Sequence, residues 1–261
     1  SADESLLSSL FQYRFEGEGA LGGHNFGNLF LTALTAITGD FYEAVRAASH
    51  VLAIEGRIFP STNENVALGA RLVDGSTVRG ETNISRSAMK IEKVFLDPPE
   101  CDAPPEALEA LQEADLVLIG PGSLYTSLAP NLLVPGVARA IARSGAMVVL
   151  LANVMTQPGE TSDLTLADHV NALLDHCPDL ELSYILANGQ PIPNEVLARY
   201  REDGAEAVVL SAEKDLPCPL IVEDLLHPGT VVRHDGIKTA RALKSLFHWA
   251  RVRPQMRGIA T

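Results

Sequence analysis

From Asp115 onward the chain repeats one pattern: a short apolar run, a loop rich in Gly, Asn or Pro, then apolar residues at helical spacing. Leu116 to Ile119 ends in Gly120-Pro121-Gly122-Ser123, and a helix carrying Val137, Ala140 and Ile141 stops at Ser144-Gly145. Met147 to Val154 is a second apolar run, and Thr165-Leu166-Ala167-Asp168 opens a helix with a capping-box pattern. Leu182 to Leu186 is expected as a third strand, Ala207 to Leu210 as a fourth and Thr230 to Arg233 as a fifth. Asn194 and Asp235 are placed to cap the intervening and final helices, the last with Ile237, Ala240, Leu243 and Phe247 inward. Continuous apolar strands, each followed by a helix, predict an α/β protein with a mostly parallel sheet covered on both faces.

The part before Asp115 differs. Leu6, Leu7, Leu10 and Phe11 suggest a first helix, followed by the glycine-rich stretch Glu16-Gly17-Glu18-Gly19. Phe26, Leu29, Phe30, Ala33, Leu34 and Ile37 then fall on one face of a helix expected to be buried, which Gly39 stops. Asp40 can cap the next helix, with Phe41, Ala44, Val45 and Ala48 as its stripe. Residues from about 56 to 97 look like a small β-rich insert. There Leu68 to Val73 and Thr77 to Ile84 flank Asp74-Gly75, a strong hairpin signal, and Ile91 to Leu96 follows as a strand.

The formal charge of −13, from 20 Lys and Arg against 33 Asp and Glu, argues against a nucleic-acid backbone or an anionic membrane as partner. It leaves room for a phosphorylated small ligand held by backbone N–H groups and a few basic side chains. Cys101, Cys177 and Cys218 are odd in number, far apart and in no C-x-x-C pair, which points away from a disulfide framework or a zinc site. No run of apolar residues is long enough to span a bilayer and no signal peptide opens the chain, so the cytoplasm is the expected compartment.

In an open α/β sheet, ligands bind outside the carboxyl ends of the strands. Gly120, Gly122 and Ser123 follow a buried strand and could cradle a phosphate, the alternative being a plain βα turn. Asn153 and Thr156 lie in a long polar loop suited to ligand contacts, or to a turn anchored by Pro158-Gly159. His24, Asn25 and Asn28 precede a helix, where His24 could meet an anion and the amides a base or sugar. Arg233 is a bidentate clamp for a diphosphate, with His234 and Lys238 as helpers or surface residues. Tyr200 is either core or a stacking platform for a base. No nucleophile elbow, H-E-x-x-H or P-loop is present, and no metal ligands cluster.

Several long motifs converge: Gly22-Gly23-His24-Asn25-Phe26-Gly27-Asn28-Leu29-Phe30, Gly39-Asp40-Phe41, Gly56-Arg57 with Pro60-Ser61-Thr62, Gly120 to Ser127, Asn131 to Gly136, and Asn153 to Thr161. Together they resemble the gluconeogenesis-factor family, the YvcK-like branch related to CofD, the 2-phospho-L-lactate transferase. The resemblance runs to about Phe247. It implies one domain over residues 1–261 with a Rossmann-like three-layer fold, a cytoplasmic protein, and a nucleotide diphosphate ligand, first of all a UDP-sugar. It implies a regulatory role in gluconeogenic carbon metabolism, cell-wall synthesis and cell shape. The alternative is a CofD-type transferase, moving phospholactate from a guanosine diphosphate donor to a deazaflavin alcohol with magnesium; for the regulatory reading no cofactor is expected. A homo-oligomer fits either reading. Family members normally begin with a strand and a glycine-rich turn, then Asp-Asp-Gly-Gly; this sequence starts inside what would be the following helix. A nicotinamide dehydrogenase ranks last, because no G-x-G-x-x-G with a ribose-binding acid appears.

Overall fold

A computed structural model describes residues 2–17, 19, 21–52, 55–87 and 89–257; Glu18 of the glycine-rich stretch and Ala88 of the insert lie outside them. The chain divides into two compact units, Ser1–Glu64 with Ala103–Ala107, and Asn65–Asp102 with Leu108–Thr261.

The first unit holds α1 (Ala2–Gln12), α2 (Phe26–Thr38) and α3 (Phe41–Val51). Asn25 Oδ1 accepts the Asn28 N–H at 3.2 Å and Asp40 Oδ1 the Glu43 N–H at 2.8 Å, so both helices start on a side-chain cap. Gly39, at φ 75°, ends α2 in the left-handed conformation that a Cβ disfavours. Phe11 packs edge-on against Phe26 and Phe30. The α2 stripe is half-buried rather than buried: none of its residues is fully covered, and Ile37 is 80% exposed. Its main packing neighbours in the unit are α3 and α1.

The second unit opens with the insert: β1 (Ala67–Leu72), β2 (Thr77–Arg79), α4 (Glu81–Ser85) and β3 (Ile91–Asp97), an antiparallel sheet in the order β2-β1-β3. Its hairpin turns at Asp74-Gly75 as expected: Asp74 Oδ1 accepts from the Ser76 N–H and hydroxyl, and Gly75 takes φ 83°. The second strand stops at Arg79 instead of running to Ile84, because Gly80 at φ 86° breaks it and α4 follows.

Next come α5 (Pro105–Gln112), β4 (Leu116–Ile119), a π-type turn at Leu124–Leu128, α6 (Ala129–Leu133), α7 (Val137–Ser144), β5 (Met147–Leu151) and α8 (Leu166–His176). Then follow β6 (Tyr184–Asn188), α9 (Asn194–Glu202), a single 3-10 turn at Glu213–Asp215, β7 (Leu220–Glu223) and α10 (Gly236–Arg257). Strands β4-β5-β6-β7 form one wholly parallel sheet, with Val117 opposite Val148 and Leu150 opposite Ile185. With the antiparallel insert, this is the expected Rossmann-like α/β architecture. Thr165 and Asp168 form the capping box on α8. Val149, Leu151 and Leu186 of the sheet meet Leu225, Leu243 and Leu246 in the core, each leucine contributing about 1.5–3 kcal/mol by leaving water.

Further expectations need correction. The third strand is Tyr184–Asn188, two residues later than read. The fourth is Leu220–Glu223, not Ala207–Leu210, which makes only an isolated bridge from Ala207 to Met155; Val209 is 66% exposed. Thr230 to Arg233 is a loop whose nearest pairing is the bridge from Leu226 to His234. On α10 the inward face carries Thr239, Leu243 and Leu246, while Ile237 is 68% exposed and Ala240 is exposed. In addition, Pro193 rather than Asn194 stands at the N-cap of α9, without a side-chain cap. Cys101 and Cys177 are buried and Cys218 is half-buried, none of them in a disulfide among the described residues; burial pushes Cys177 and Cys218 up to about 11. Among the described residues no helix is long and apolar enough to cross a membrane.

One buried histidine ties the insert to the main sheet's helices. His176 Nε2 accepts the Val94 N–H at 2.8 Å, while Nδ1 lies 2.6 Å from the Ala172 carbonyl. The proton therefore sits on Nδ1, and a second proton on Nε2 would face the Val94 N–H. Burial holds His176 below 6.5, the ordinary value, and does the same for His169 and His234. Unfolded histidines thus take up protons first as pH falls, so the stability from these neutral rings is complete above pH 6.5 and is lost as pH falls through their folded values. Thermal melts at stepwise lower pH should show a falling midpoint from about pH 6.5 downward. His176→Gln, whose amide oxygen can still accept from Val94, should make that fall shallower; an unchanged slope would assign the pH dependence to other groups.

Candidate functional site

A cleft of about 490 Å³ opens at the carboxyl ends of β4 and β5, where an open parallel sheet is expected to bind. Its walls are Pro121 to Ser123, Asn153 to Pro158, Tyr200, Asp203 and Ala205 of α9 and the segment after it, and Val232 to His234. Of the residues singled out from the sequence, it gathers Gly122, Ser123, Asn153, Thr156, Tyr200 and Arg233. Gly120 is not on the wall. At φ 98°, a Cβ there would lie 3.1 Å from the Leu151 carbonyl, so this glycine lets the turn pack onto β5. His24, Asn25 and Asn28 belong to the first unit, where Asn25 caps α2 and His24 and Asn28 are exposed.

After β4 the chain enters not a long helix but the five-residue π-type turn, whose Ser127 and Leu128 N–H groups both bond the Ser123 carbonyl. The Ser123 hydroxyl accepts from Gln157 Nε2 at 2.8 Å, linking the turn after β4 to the loop after β5. That loop is firmly anchored. Thr156 pairs with Glu206 in both directions, N–H to carbonyl at 2.7 Å and hydroxyl oxygen to N–H at 2.9 Å. Thr156 is buried, so it shapes the wall more than it offers a ligand contact. Glu160 Oε1 accepts the Ser85 and Thr126 hydroxyls at 2.8 and 2.9 Å. Gln157 Oε1 and Glu160 Oε2 are buried acceptors with no donor among the described residues.

The opposite strand-end region is held by Tyr200, whose hydroxyl oxygen accepts the Val232 N–H at 3.0 Å. This fixes the loop carrying Arg233. The Arg233 side chain has no ion pair or hydrogen bond among the described residues and is exposed on the cleft. Asp235 is committed elsewhere: Oδ1 accepts the Ile237 and Lys238 N–H groups at 2.9 Å each, capping α10, and Oδ2 lies 3.5 Å from His227 Nδ1. Those cap bonds hold the Asp235 carboxyl below its ordinary value. Lys238 is also engaged, by Asp224 and the Leu226 carbonyl, so it is no helper for a ligand. His234 is on the wall with a buried, unpartnered Nε2; burial keeps its ring neutral at pH 7, with the Ala152 carbonyl opposing that shift less strongly. Gln157 and Asp203 are wall residues missed among the sequence candidates; the long polar loop was the signal for Gln157, and nothing in the α9 pattern marked Asp203. Among the described residues no group of three or more His, Cys, Asp or Glu is placed to hold a metal ion.

The arrangement brings together a fixed glycine turn with a hydroxyl, the Asn153 carboxamide, one guanidinium unpaired among the described residues and a neutral imidazole, which suits an anionic, hydrogen-bonding ligand. Comparison with known proteins identifies the family. The family model described as "2-phospho-L-lactate transferase CofD" matches residues 1–226. The gluconeogenesis factor of Bacillus subtilis is 42% identical over 247 residues, covering 94% of this chain and 78% of that protein. The gluconeogenesis factor of Halalkalibacterium halodurans is 42% identical over 243 residues, 92% of this chain and 76% of its own length. A crystal structure of a upf0052-family protein from Bacillus halodurans superposes with a TM-score of 0.85 at 43% identity, covering 91% of this chain and 77% of that one. On the match of its motifs, its sheet and most of its length, the chain belongs to the CofD family, among the relatives named gluconeogenesis factors.

Proposed function

We propose that the cleft binds a nucleoside diphosphate compound, in first place a UDP-sugar, and that the protein acts by binding, as a regulator of gluconeogenic carbon metabolism with effects on cell-wall synthesis and cell shape. The observation that carries this reading is Arg233, an unpaired guanidinium on the same cleft as the Gly122-Ser123 turn. A guanidinium fork matches two phosphate oxygens, and such bonds are about twice as strong as neutral ones. The gluconeogenic role rests on the names of the relatives.

The family model's name favours a second reading, a transferase acting on a nucleotide-diphosphate donor. Magnesium would belong to it. Asp203 is the one carboxylate on the cleft wall, and magnesium commonly uses one or two carboxylates besides substrate phosphates, so the donor set fits an ion shared with a phosphate.

Calorimetric titration with UDP-sugars, alongside incubation with a lactyl nucleotide donor, a deazaflavin acceptor and magnesium, separates the two. Binding of a UDP-sugar without any product is the expected result. Turnover of the acceptor would replace the regulatory reading with the enzymatic one.

A further inference from the structure

The loop after β5 and the π-type turn after β4 are joined by two matched contacts. The N–H groups of Glu160 and Thr161 both bond the Gln157 carbonyl, at 3.1 and 2.8 Å, so residues 157 to 161 make one helical turn. On such a turn, side chains three residues apart face the same way. Gln157 and Glu160 accordingly reach one partner element, at Ser123 and Thr126, which are themselves three residues apart. Ser85 at the end of α4 closes a third side of this seam. Its hydroxyl bonds Glu160, and its carbonyl abuts Gly159, which lies between Gln157 and Glu160 in the chain.

These contacts use only part of each side chain. Gln157 donates through Nε2 and Glu160 accepts both hydroxyls at Oε1. Gln157 Oε1 and Glu160 Oε2 are left buried, with no donor among the described residues. Glu160 is only 8% exposed and has no Lys, Arg or His partner among the described residues. Two hydroxyl donors do not neutralise a carboxylate, and a buried charge is normally paired or bound to a metal. The groups facing the seam are all oxygens, because the Ser85 and Thr126 hydroxyls give their protons to Glu160 and keep their lone pairs. An all-oxygen set suits a hard cation. One carboxylate balances one positive charge, whereas magnesium would bring two and keep several waters. Gln157 is half-buried on the cleft wall, which gives an ion a way in.

We propose that this seam binds a monovalent alkali-metal cation between Gln157 Oε1 and Glu160 Oε2, with the Ser85 and Thr126 hydroxyl oxygens completing the donor set. The ion fastens the turn after β4, the loop after β5 and the end of α4 to one another. It is independent of what the cleft binds.

The test is a set of thermal melts at one pH and one ionic strength, on the wild-type chain and on Glu160→Gln. The added chloride is that of potassium, sodium, magnesium or tetramethylammonium, the last being too bulky to be coordinated. As potassium or sodium replaces tetramethylammonium, the wild-type midpoint should rise and level off, by roughly 5 °C at about a hundredfold over Kd. Glu160→Gln keeps the side chain's shape and an acceptor for the two hydroxyls but loses the charge, so its midpoint should be the same in potassium, sodium and tetramethylammonium. Equal wild-type midpoints in all four salts overturn the proposal and leave a bridging water as the partner of the two oxygens. A gain with magnesium alone, or a gain retained in Glu160→Gln, overturns it too. If Glu160→Gln fails to fold, wild-type crystals soaked in rubidium chloride decide. An anomalous peak within coordination distance of Gln157 Oε1 and Glu160 Oε2 upholds the site, and none there removes it.

Discussion

Arg233→Ala is expected to weaken nucleoside diphosphate binding by about 1.5–3 kcal/mol, the range for hydrogen bonds to charged groups, or roughly ten- to a hundredfold. The reason is electrostatic. A diphosphate adds negative charge to a protein whose formal charge is already −13, and the opposing long-range field is screened beyond about 8–10 Å. Close contacts must therefore hold the ligand. Among the described residues Arg233 is the one Arg or Lys side chain on the cleft wall. Arg233→Lys should restore binding only in part, because an ammonium cannot present two parallel donors. Stability should hardly change, since the side chain is exposed and has no protein partner among the described residues. Had Arg233 been paired with Asp235, alanine would lower the melting temperature and leave affinity alone; Asp235 is instead occupied by the start of α10 and by His227. Calorimetry and a thermal melt on one sample separate the outcomes, and unchanged affinity would remove Arg233 from the site.

Gly159→Ala should destabilise the fold by about 3–5 kcal/mol, at the upper end for single substitutions. A Cβ at Gly159 would lie 2.2 Å from the Ser85 carbonyl oxygen and 3.0 Å from its carbon, both backbone atoms that cannot rotate away. The residue also sits at φ 81°, where alanine carries backbone strain. The loop after β5 is packed against the end of α4 at that point, and Glu160 bonds the Ser85 hydroxyl beside it. Relief by moving the loop would disturb Gln157 and its bond to Ser123, so affinity should fall as well. Urea unfolding measures the first effect; a loss below about 1 kcal/mol would mean that the contact yields easily.

The parts of the fold that were legible in the sequence are those where local chemistry and tertiary context agree. Asp74-Gly75, the caps at Asp40 and Asp235, and the Thr165/Asp168 box each satisfy backbone groups with neighbouring side chains, so sequence alone suffices; Asn25, read as a ligand group, is instead the cap of α2. Strands β4 and β5 were read as apolar runs of a parallel sheet, and they pair in parallel. The failures lie where β propensity had no ladder to join. Ala207 to Leu210 and Thr230 to Arg233 are rich in valine, but Val209 and Val231 face solvent. The real edge strand, Leu220–Glu223, follows Pro217-Cys218-Pro219, which reads as loop; the Pro219 carbonyl nonetheless accepts the Ile185 N–H and starts the pairing. On α10 two helical stripes share Leu243, and only packing against Val149, Leu151 and Leu186 selects the one with Leu246.

Six of the ten candidate ligand residues line one cleft, five of them because βα loops must emerge at the same sheet edge, with Tyr200 joining them from α9. What sequence could not reveal was which polar side chains were already spent. Thr156 and Lys238 looked like ligand groups and are occupied by Glu206 and Asp224, whereas Gln157 keeps a buried acceptor without a donor among the described residues. Such accounting depends on contacts between segments far apart in the chain.

The most direct test of the central claim is a crystal structure of the protein with a UDP-sugar. The account predicts the diphosphate within hydrogen-bonding distance of the Gly122-Ser123 turn and of the Arg233 guanidinium, at the carboxyl ends of β4 and β5. A ligand bound away from that cleft, or a fully occupied complex in which Arg233 touches no phosphate, would contradict it.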